Sequence, residues 1–220
     1  MLEEMSTGTK FQQQRSQLVK ELRGQGIGDA RVLEALGSVP REEFVGPEFA
    51  SCAYLNKPLP IGSGQTISQP YVVAWMLEAL QLRPEDKVLE IGGGSGYAAA
   101  TLSCLVDKVY SVERHPELAR TAQERLNRLG YAVTVWVGDG SIGLPEFAPY
   151  DAILVSAGAP NVPTSLLKQL RVGGRLVIPV GQYDIQSLVR VERNSRGYRR
   201  QHLGDVRFVP LVGAEGWEDP

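Results

Sequence analysis

The sequence predicts an α/β fold: a Rossmann-like, doubly wound sheet, mostly parallel with an antiparallel edge, behind an N-terminal helical cap. Three observations predict it. From residue 84 onward, short apolar runs alternate with helical patterns, as parallel sheets with helices on both faces require. One run, residues 88–91, passes directly into a glycine turn that opens a helix. Two helical patterns stand before any strand, which makes them a cap and not part of the alternation.

Each element has a local cause. Residues 11–23 are rich in helix formers and are stopped by Gly24 and Gly26. Asp29 is an N-cap for a short helix carrying Val32, Leu33 and Leu36, ended by Gly37. Residues 40–49 form a turn-rich connector, and residues 59–70 (LPIGSGQTISQP) carry too much Gly, Pro and hydroxyl to be a core element. Val72, Met76, Leu77 and Leu80 recur at helical spacing over residues 71–80. Strands are then expected at 88–91, 109–113, 133–137, 152–156 and 176–180. The helices between them are expected at 97–105, at 116–129 with Pro116 in the first turn, and at 163–170. The Asn194-Ser195-Arg196-Gly197 turn separates runs at 187–191 and 202–209, an antiparallel pair closing the edge.

Composition narrows the function. With 220 residues the chain suits one domain with an N-terminal extension and can bury a sizeable core. Cys52 and Cys104 have no second thiol or His at ligand spacing, and the two His lie far apart, so neither a disulfide framework nor a metal site is expected. A net charge of −2 offers no field for nucleic acid or an anionic membrane. No run approaches the roughly 18 apolar residues of a membrane span. The N-terminus has no apolar signal segment, so a cytoplasmic location is expected.

The glycine turn carries the chemistry. Residues 88–97 read VLEIGGGSGY. Gly92, Gly94 and Gly96, with Ser95 between them, let a ligand approach the backbone beside a helix N-terminus at the switch point of the sheet. Glu113, twenty-one residues past Gly92, ends the next strand, where a carboxylate can accept from ribose hydroxyls. The spacing is G-x-G-x-G, and Glu90 stands two residues before the first glycine. An acid there repels a pyrophosphate and suits a ligand with an ammonium and a sulfonium. The ligand indicated is S-adenosylmethionine, in a class I methyltransferase fold. Asp139 and Gly140 follow the third strand, where the Asp can reach the adenine amino group.

Pro58 to Pro70, with its Gln65-Thr66-Ile67-Ser68 core, resembles the signature of protein-L-isoaspartate (D-aspartate) O-methyltransferases. So do residues 88–97, Gly138-Asp139-Gly140, and Phe208-Val209-Pro210-Leu211. The resemblance runs from about residue 14 to residue 211. It implies methyl transfer from S-adenosylmethionine to the free α-carboxylate of L-isoaspartyl residues in damaged proteins and peptides. It places the active-site serine at Ser68, with Thr66, Ile61 and Gln65 on the substrate. Glu90, Gly92, Gly94, Ser95, Gly96, Glu113, Asp139, Gly140 and Ile67 fall to the cofactor. Three positions depart from the pattern: Asn56 for a frequent Asp, Gly93 for a frequent Thr, and Val212 for a Thr in some relatives. The expected division is 1–10 as a disordered tail, 11–83 as cap and acceptor loop, 84–212 as the donor-binding core, and 213–220 as a C-terminal tail. A monomer acting on isoaspartyl proteins, with no nucleic acid or membrane partner, is expected.

The chemistry agrees with the residues. An isoaspartyl α-carboxylate titrates near the α-carboxyl range of about 3.3–3.7, so it arrives ionised and needs no general base. A cationic clamp would favour the starting carboxylate over the transition state, in which both charges are consumed. Neutral donors at Thr66 and Ser68 can orient the oxygen, so Ser68 is expected to act by positioning and not as a nucleophile. The alternative is that both hydroxyls only stabilise a turn or cap the next helix. Two rival functions stay open: a nucleic-acid or small-molecule methyltransferase, and a non-catalytic module binding the same ligand. Ser156-Ala157-Gly158-Ala159-Pro160 stands where base amino-methylation commonly uses an Asn/Asp-Pro-Pro-aromatic motif.

Overall fold

The computed structural model describes residues 7–219. The cap comprises α1 (Thr7–Gly24), α2 (Ala30–Ser38) and two 3-10 turns, Arg41–Phe44 and Pro47–Cys52. Helix α1 already includes residues 7–10 of the expected tail; the rest of that segment, residues 1–6, lies outside the described residues. The Asp29 carboxylate accepts from the Arg31 and Val32 amides, at 2.9 and 3.3 Å, which starts α2. Glu78, in α3 (Pro70–Leu80), accepts from the Gly28 and Asp29 amides, both at 2.7 Å, and so locks α2 against α3.

Residues 59–67 differ from the expected open loop. They fold as a two-stranded hairpin, β1 (Leu59–Gly62) and β2 (Gln65–Ile67), with Leu59 facing Ile67. Both side chains are buried, so the hairpin is pinned to the core at its base while Thr66 remains exposed. Its tip turns through Gly62, Ser63 and Gly64, all at positive φ, a tight reversal that glycine makes accessible.

The main sheet has seven strands: β3 (Lys87–Ile91), β4 (Lys108–Glu113), β5 (Val133–Val137), β6 (Tyr150–Val155), β7 (Leu170–Gly181), β8 (Gln186–Asn194) and β9 (Gly197–Val206). Their order is β5-β4-β3-β6-β7-β8-β9. The first five pair in parallel and the last two antiparallel, the edge the sequence predicts. Strand order reverses between β3 and β6, so ligands are favoured beyond the carboxyl ends of those strands. Helices α4 (Tyr97–Ser103), α5 (Pro116–Leu129) and α6 (Thr164–Gln169) are the crossovers. One apolar core lies between the sheet and the cap with α3 and α4; a second lies on the opposite face under α6.

Strand β9 ends three residues before the expected 209. The Phe208 amide donates to the Gln186 side chain at 2.8 Å, and the Val209 carbonyl accepts from the Gly158 amide at 2.8 Å. The chain thereby leaves the antiparallel edge and crosses to the carboxyl ends of the parallel strands. Residues 213–219 continue as a strap. The Trp217 indole donates to the Gly158 carbonyl at 2.9 Å, and the Glu215 carboxylate accepts from the Ser165 amide and hydroxyl at 2.9 and 2.6 Å. No helix among the described residues is long and apolar enough to cross a membrane.

Candidate active site

A cleft opens beyond β3 and β4, as the switch point requires. Gly92, Gly94, Glu113, Gly140, Ser156 and Leu211 are among the residues lining it. Glu113 is buried at the end of β4. Its two carboxylate oxygens accept from the Gly94 amide at 2.8 Å and the His115 amide at 2.9 Å. The acid therefore braces the glycine turn against the start of α5, and each oxygen keeps a lone pair for a ligand hydroxyl.

Glu90 is fully buried in the middle of the sheet. One oxygen accepts from the Ser111 hydroxyl at 2.5 Å; the other has no partner. Burial pushes its carboxyl up to about 7, opposed by the Ser111 hydrogen bond and aided by nearby Glu113. Such a group is costly unless something cationic approaches it. It lines a small recess with Thr66, Ser68, Gly92 and Ser156. An orphaned buried carboxylate oxygen beside glycines that carry no Cβ fits a ligand with an ammonium and a sulfonium, so the residues fit S-adenosylmethionine. Gly93 has its own explanation. A Cβ there would fall on the Ser111 hydroxyl that holds Glu90, so glycine and Ser111 occupy the space a threonine would need.

Asp139 carries a role that its strand-end position does not announce. One oxygen accepts from the Ser141 amide and hydroxyl, at 2.8 and 2.7 Å, and the other from the Ala214 amide at 2.7 Å. Burial would raise its pKa, but these hydrogen bonds outweigh it and hold the carboxyl below its usual range. It lines the hollow under the strap next to the cleft, and Gly140 is the member of that pair that reaches the cleft. Asp139 thus fastens the strap. Ser95 and Gly96 shape the helix start, and Ser95 also lines the recess at Glu90. Ser95 is buried with its carbonyl held by Arg125 at 2.7 Å, and Gly96 is the left-handed N-cap of α4.

The acceptor side is a second groove, lined by Ser68, Trp75, Ile185, Arg207, Phe208 and other residues. Thr66 and Ser156 line this groove, the donor cleft and the recess at Glu90 alike, so the cavities meet there. Neither the Thr66 nor the Ser68 hydroxyl has a hydrogen-bond partner among the described residues. Helix α3 does not use Ser68 as a cap. Its first free amide, on Tyr71, donates to the Asn56 side chain at 3.0 Å, and the Asn56 amide donates to Gln25 at 3.1 Å. An aspartate at 56 could cap equally but could not donate to Gln25. Ile61 packs against the glycine turn, its Cδ1 3.1 Å from where a Cβ on Gly94 would stand, and Gln65 lines the donor cleft. Ile67 is core packing under the hairpin that also borders the recess.

Ser156, Trp75 and the strap were not singled out from sequence as site residues. Ser156 had a readable signal: it is the first residue beyond β6, whose Val155 pairs with Ile91, so it lies on the switch point. Trp75 and Trp217 are scattered in sequence; Trp75 lines the second groove and Trp217 the hollow under the strap.

The comparisons with known proteins follow the same lines. The model of the family described as "Protein-L-isoaspartate(D-aspartate) O-methyltransferase (PCMT)" matches residues 13–216. A protein-L-isoaspartate O-methyltransferase from Protochlamydia amoebophila is 57% identical over 90% of this chain and 96% of its own length. One from Pelobacter propionicus is 61% identical over 90% of this chain and 89% of its own. A solved protein-L-isoaspartate O-methyltransferase superposes with a TM-score of 0.83 at 32% identity, covering 92% of this chain and 67% of that one. A Plasmodium falciparum protein of the same description, in complex with S-adenosyl-L-homocysteine, gives 0.80 at 26% identity over 90% and 98%. With the matched model spanning nearly all of the cap, hairpin and sheet, this chain belongs to the protein-L-isoaspartate (D-aspartate) O-methyltransferase family.

Proposed function

We propose that Ser68 and Thr66 hold the acceptor in the reaction this chain catalyses. That reaction transfers a methyl group from S-adenosylmethionine to the free α-carboxylate of L-isoaspartyl residues in age-damaged proteins and peptides, which starts their repair to L-aspartyl. The observation that carries the assignment is the meeting of donor cleft and acceptor groove at Thr66 and Ser156.

The bound donor supplies an electrophilic methyl on a sulfonium. Glu90, with its free oxygen, attracts the cationic end of that molecule, and Glu113 takes the ribose hydroxyls. Gly92, Gly94 and Gly140 admit the remainder without side-chain interference. On the other side, the unpartnered hydroxyls of Thr66 and Ser68 donate to the acceptor carboxylate and aim one oxygen along the transfer line. Arg207 is the one cation lining the groove among the described residues; it is exposed, with Asp205 two residues before it. Neutral donors therefore do the orienting, and the acceptor charge stays available for the transition state. The reaction consumes the carboxylate and sulfonium charges together and moves no proton, so Ser68 need not ionise.

The division of the chain follows. Residues 11–83 supply the cap and the hairpin with Thr66 and Ser68, and 84–212 supply the donor turn and its carboxylates, while Ile185 and Phe208 from the sheet edge complete the acceptor groove and 213–219 lie at the far end of the donor cleft. We take the enzyme to act as a monomer. The free thiols Cys52 and Cys104 support a reducing, cytoplasmic setting, and a net charge of −2 supports neither a nucleic-acid nor a membrane partner.

The test uses labelled S-adenosylmethionine with matched isoaspartyl and aspartyl peptides. Base-labile methyl ester on the isoaspartyl peptide alone is the expected result; equal labelling of both, or of neither, overturns the assignment.

A further inference from the structure

Arg41 is among the largest fully buried side chains of the molecule, and a buried guanidinium demands a reason. It has no carboxylate partner among the described residues: neighbouring Glu42 is engaged by Arg15 and Tyr54. Its partners are two carbonyl oxygens and one ring. Nε donates to the Ala53 carbonyl and Nη2 to the Ser68 carbonyl, both at 2.8 Å. The guanidinium carbon lies 4.8 Å from the centroid of the Tyr97 ring. Burial lowers its pKa, and the Tyr97 contact opposes that.

Those partners belong to three separate structures. Ala53 closes the second 3-10 turn, Ser68 ends the acceptor hairpin, and Tyr97 is the first residue of α4 after the glycine turn. A planar fork fits this geometry and an ammonium does not. An apolar side chain would fill the same space without the desolvation cost, so packing alone is a poor account of an arginine here.

We propose that Arg41 is a positioning residue that sets Ser68 at a fixed distance from the donor turn. Its fork staples the two ends of the 53–68 segment, and its stacking on Tyr97 ties that staple to the helix following Gly92–Gly96. Arg41 touches neither donor nor acceptor. Its effect reaches the reaction through the Ser68 backbone, and misplacement by about 1 Å can cost on the order of 100-fold in rate. The inference rests on Ser68 being the acceptor serine, and it adds what holds that serine in place.

The experiment compares wild-type protein with Arg41→Lys and Tyr97→Leu. Three quantities are read: kcat and both KM values with an isoaspartyl peptide, donor affinity by calorimetry, and hydrogen exchange of the 66–68 amides. For Arg41→Lys we expect kcat to fall at least 10-fold, donor affinity to stay within about 3-fold, and exchange at 66–68 to rise at least 10-fold. Tyr97→Leu, which keeps both hydrogen bonds but removes the ring, moves the same readouts less. Unchanged kcat and exchange in Arg41→Lys overturn the proposal. So does a loss of donor affinity in step with kcat, since that marks general loosening. If Arg41→Lys does not fold, Tyr97→Leu is held to the same pattern of lower kcat and faster exchange with donor affinity kept. If the wild type labels no isoaspartyl peptide, the acceptor reading fails, and the exchange measurement still decides whether Arg41 holds residues 66–68.

Discussion

The two walls of the cleft are built by opposite means. The donor wall places buried charge on strand ends: Glu90 is wholly enclosed in β3, and Glu113 is clamped by two backbone amides at the end of β4. The acceptor wall is a small hairpin whose Thr66 is exposed and whose working groups are neutral hydroxyls. The difference follows from the two ligands. On the proposed roles, buried carboxylates suit a donor cation, whereas an acceptor that already carries a negative charge needs aim more than attraction. The carboxylates are buried, and the Thr66 side of the site is exposed.

The strongest way to break this contrast is to remove the Ser68 hydroxyl. Ser68→Ala should lower kcat by about 100-fold, the scale of a lost positioning contact, with the KM for donor nearly unchanged. Steady-state kinetics with varied donor and varied isoaspartyl peptide give both numbers. A methylated Ser68 peptide found by mass spectrometry in the wild-type reaction would overturn the positioning role.

Most of the donor wall could be read from sequence because it depends on local order. A strand, a glycine turn and an acid at the next strand end are consecutive features, and the fold forces them together. The acceptor groove depends on long-range returns. Trp75 joins it because its ring lies against Gly204 of β9, and Phe208 because its amide donates to Gln186 just past the end of β9. Asp139 shows the limit of a motif. Its position at a strand end suggests adenine contact; the Ala214 amide, 75 residues later, gives one of its oxygens a second role in fastening the strap. Nothing in the local sequence announces that return.

Glu90→Gln is the next largest perturbation, and it acts on the other wall. The amide is close in shape and retains a hydrogen-bonding route to Ser111, but it offers the donor no charge. Donor affinity should fall by about 10- to 100-fold, the worth of a hydrogen bond to a charged group. In the wild type, affinity should weaken as pH falls through about 7, because Glu90 then carries a proton; the variant should lack that dependence. Stability should move the opposite way. A carboxyl whose folded pKa is raised makes the native state bind more protons than the unfolded chain, so wild-type stability falls as pH rises from about 4.5 through 7. Glu90→Gln should therefore melt higher than wild type at pH 8, with the gap closing toward pH 5. Equal melting temperatures at pH 8 together with unchanged donor affinity would remove Glu90 from the donor site.

The smallest expected effect concerns the strap and decides to which wall it belongs. Trp217 donates to the Gly158 carbonyl and meets Tyr183, which lines the donor cleft, edge-on at 5.5 Å. Trp217→Phe keeps an aromatic ring and loses one hydrogen bond, worth about 1 kcal/mol net. Because the strap touches the donor side only, that loss should raise the donor KM about 3- to 5-fold and leave kcat and the peptide KM unchanged. Its fastening carboxylate sharpens the point. The hydrogen bonds that depress Asp139 stabilise the strap above the ordinary carboxyl range and are lost as pH falls below it, so acid should loosen donor binding through the strap even in Glu90→Gln. A change in kcat at constant donor KM would instead tie the strap to the acceptor wall, and the contrast between a charged, fastened donor side and a neutral, exposed acceptor side would have to be redrawn.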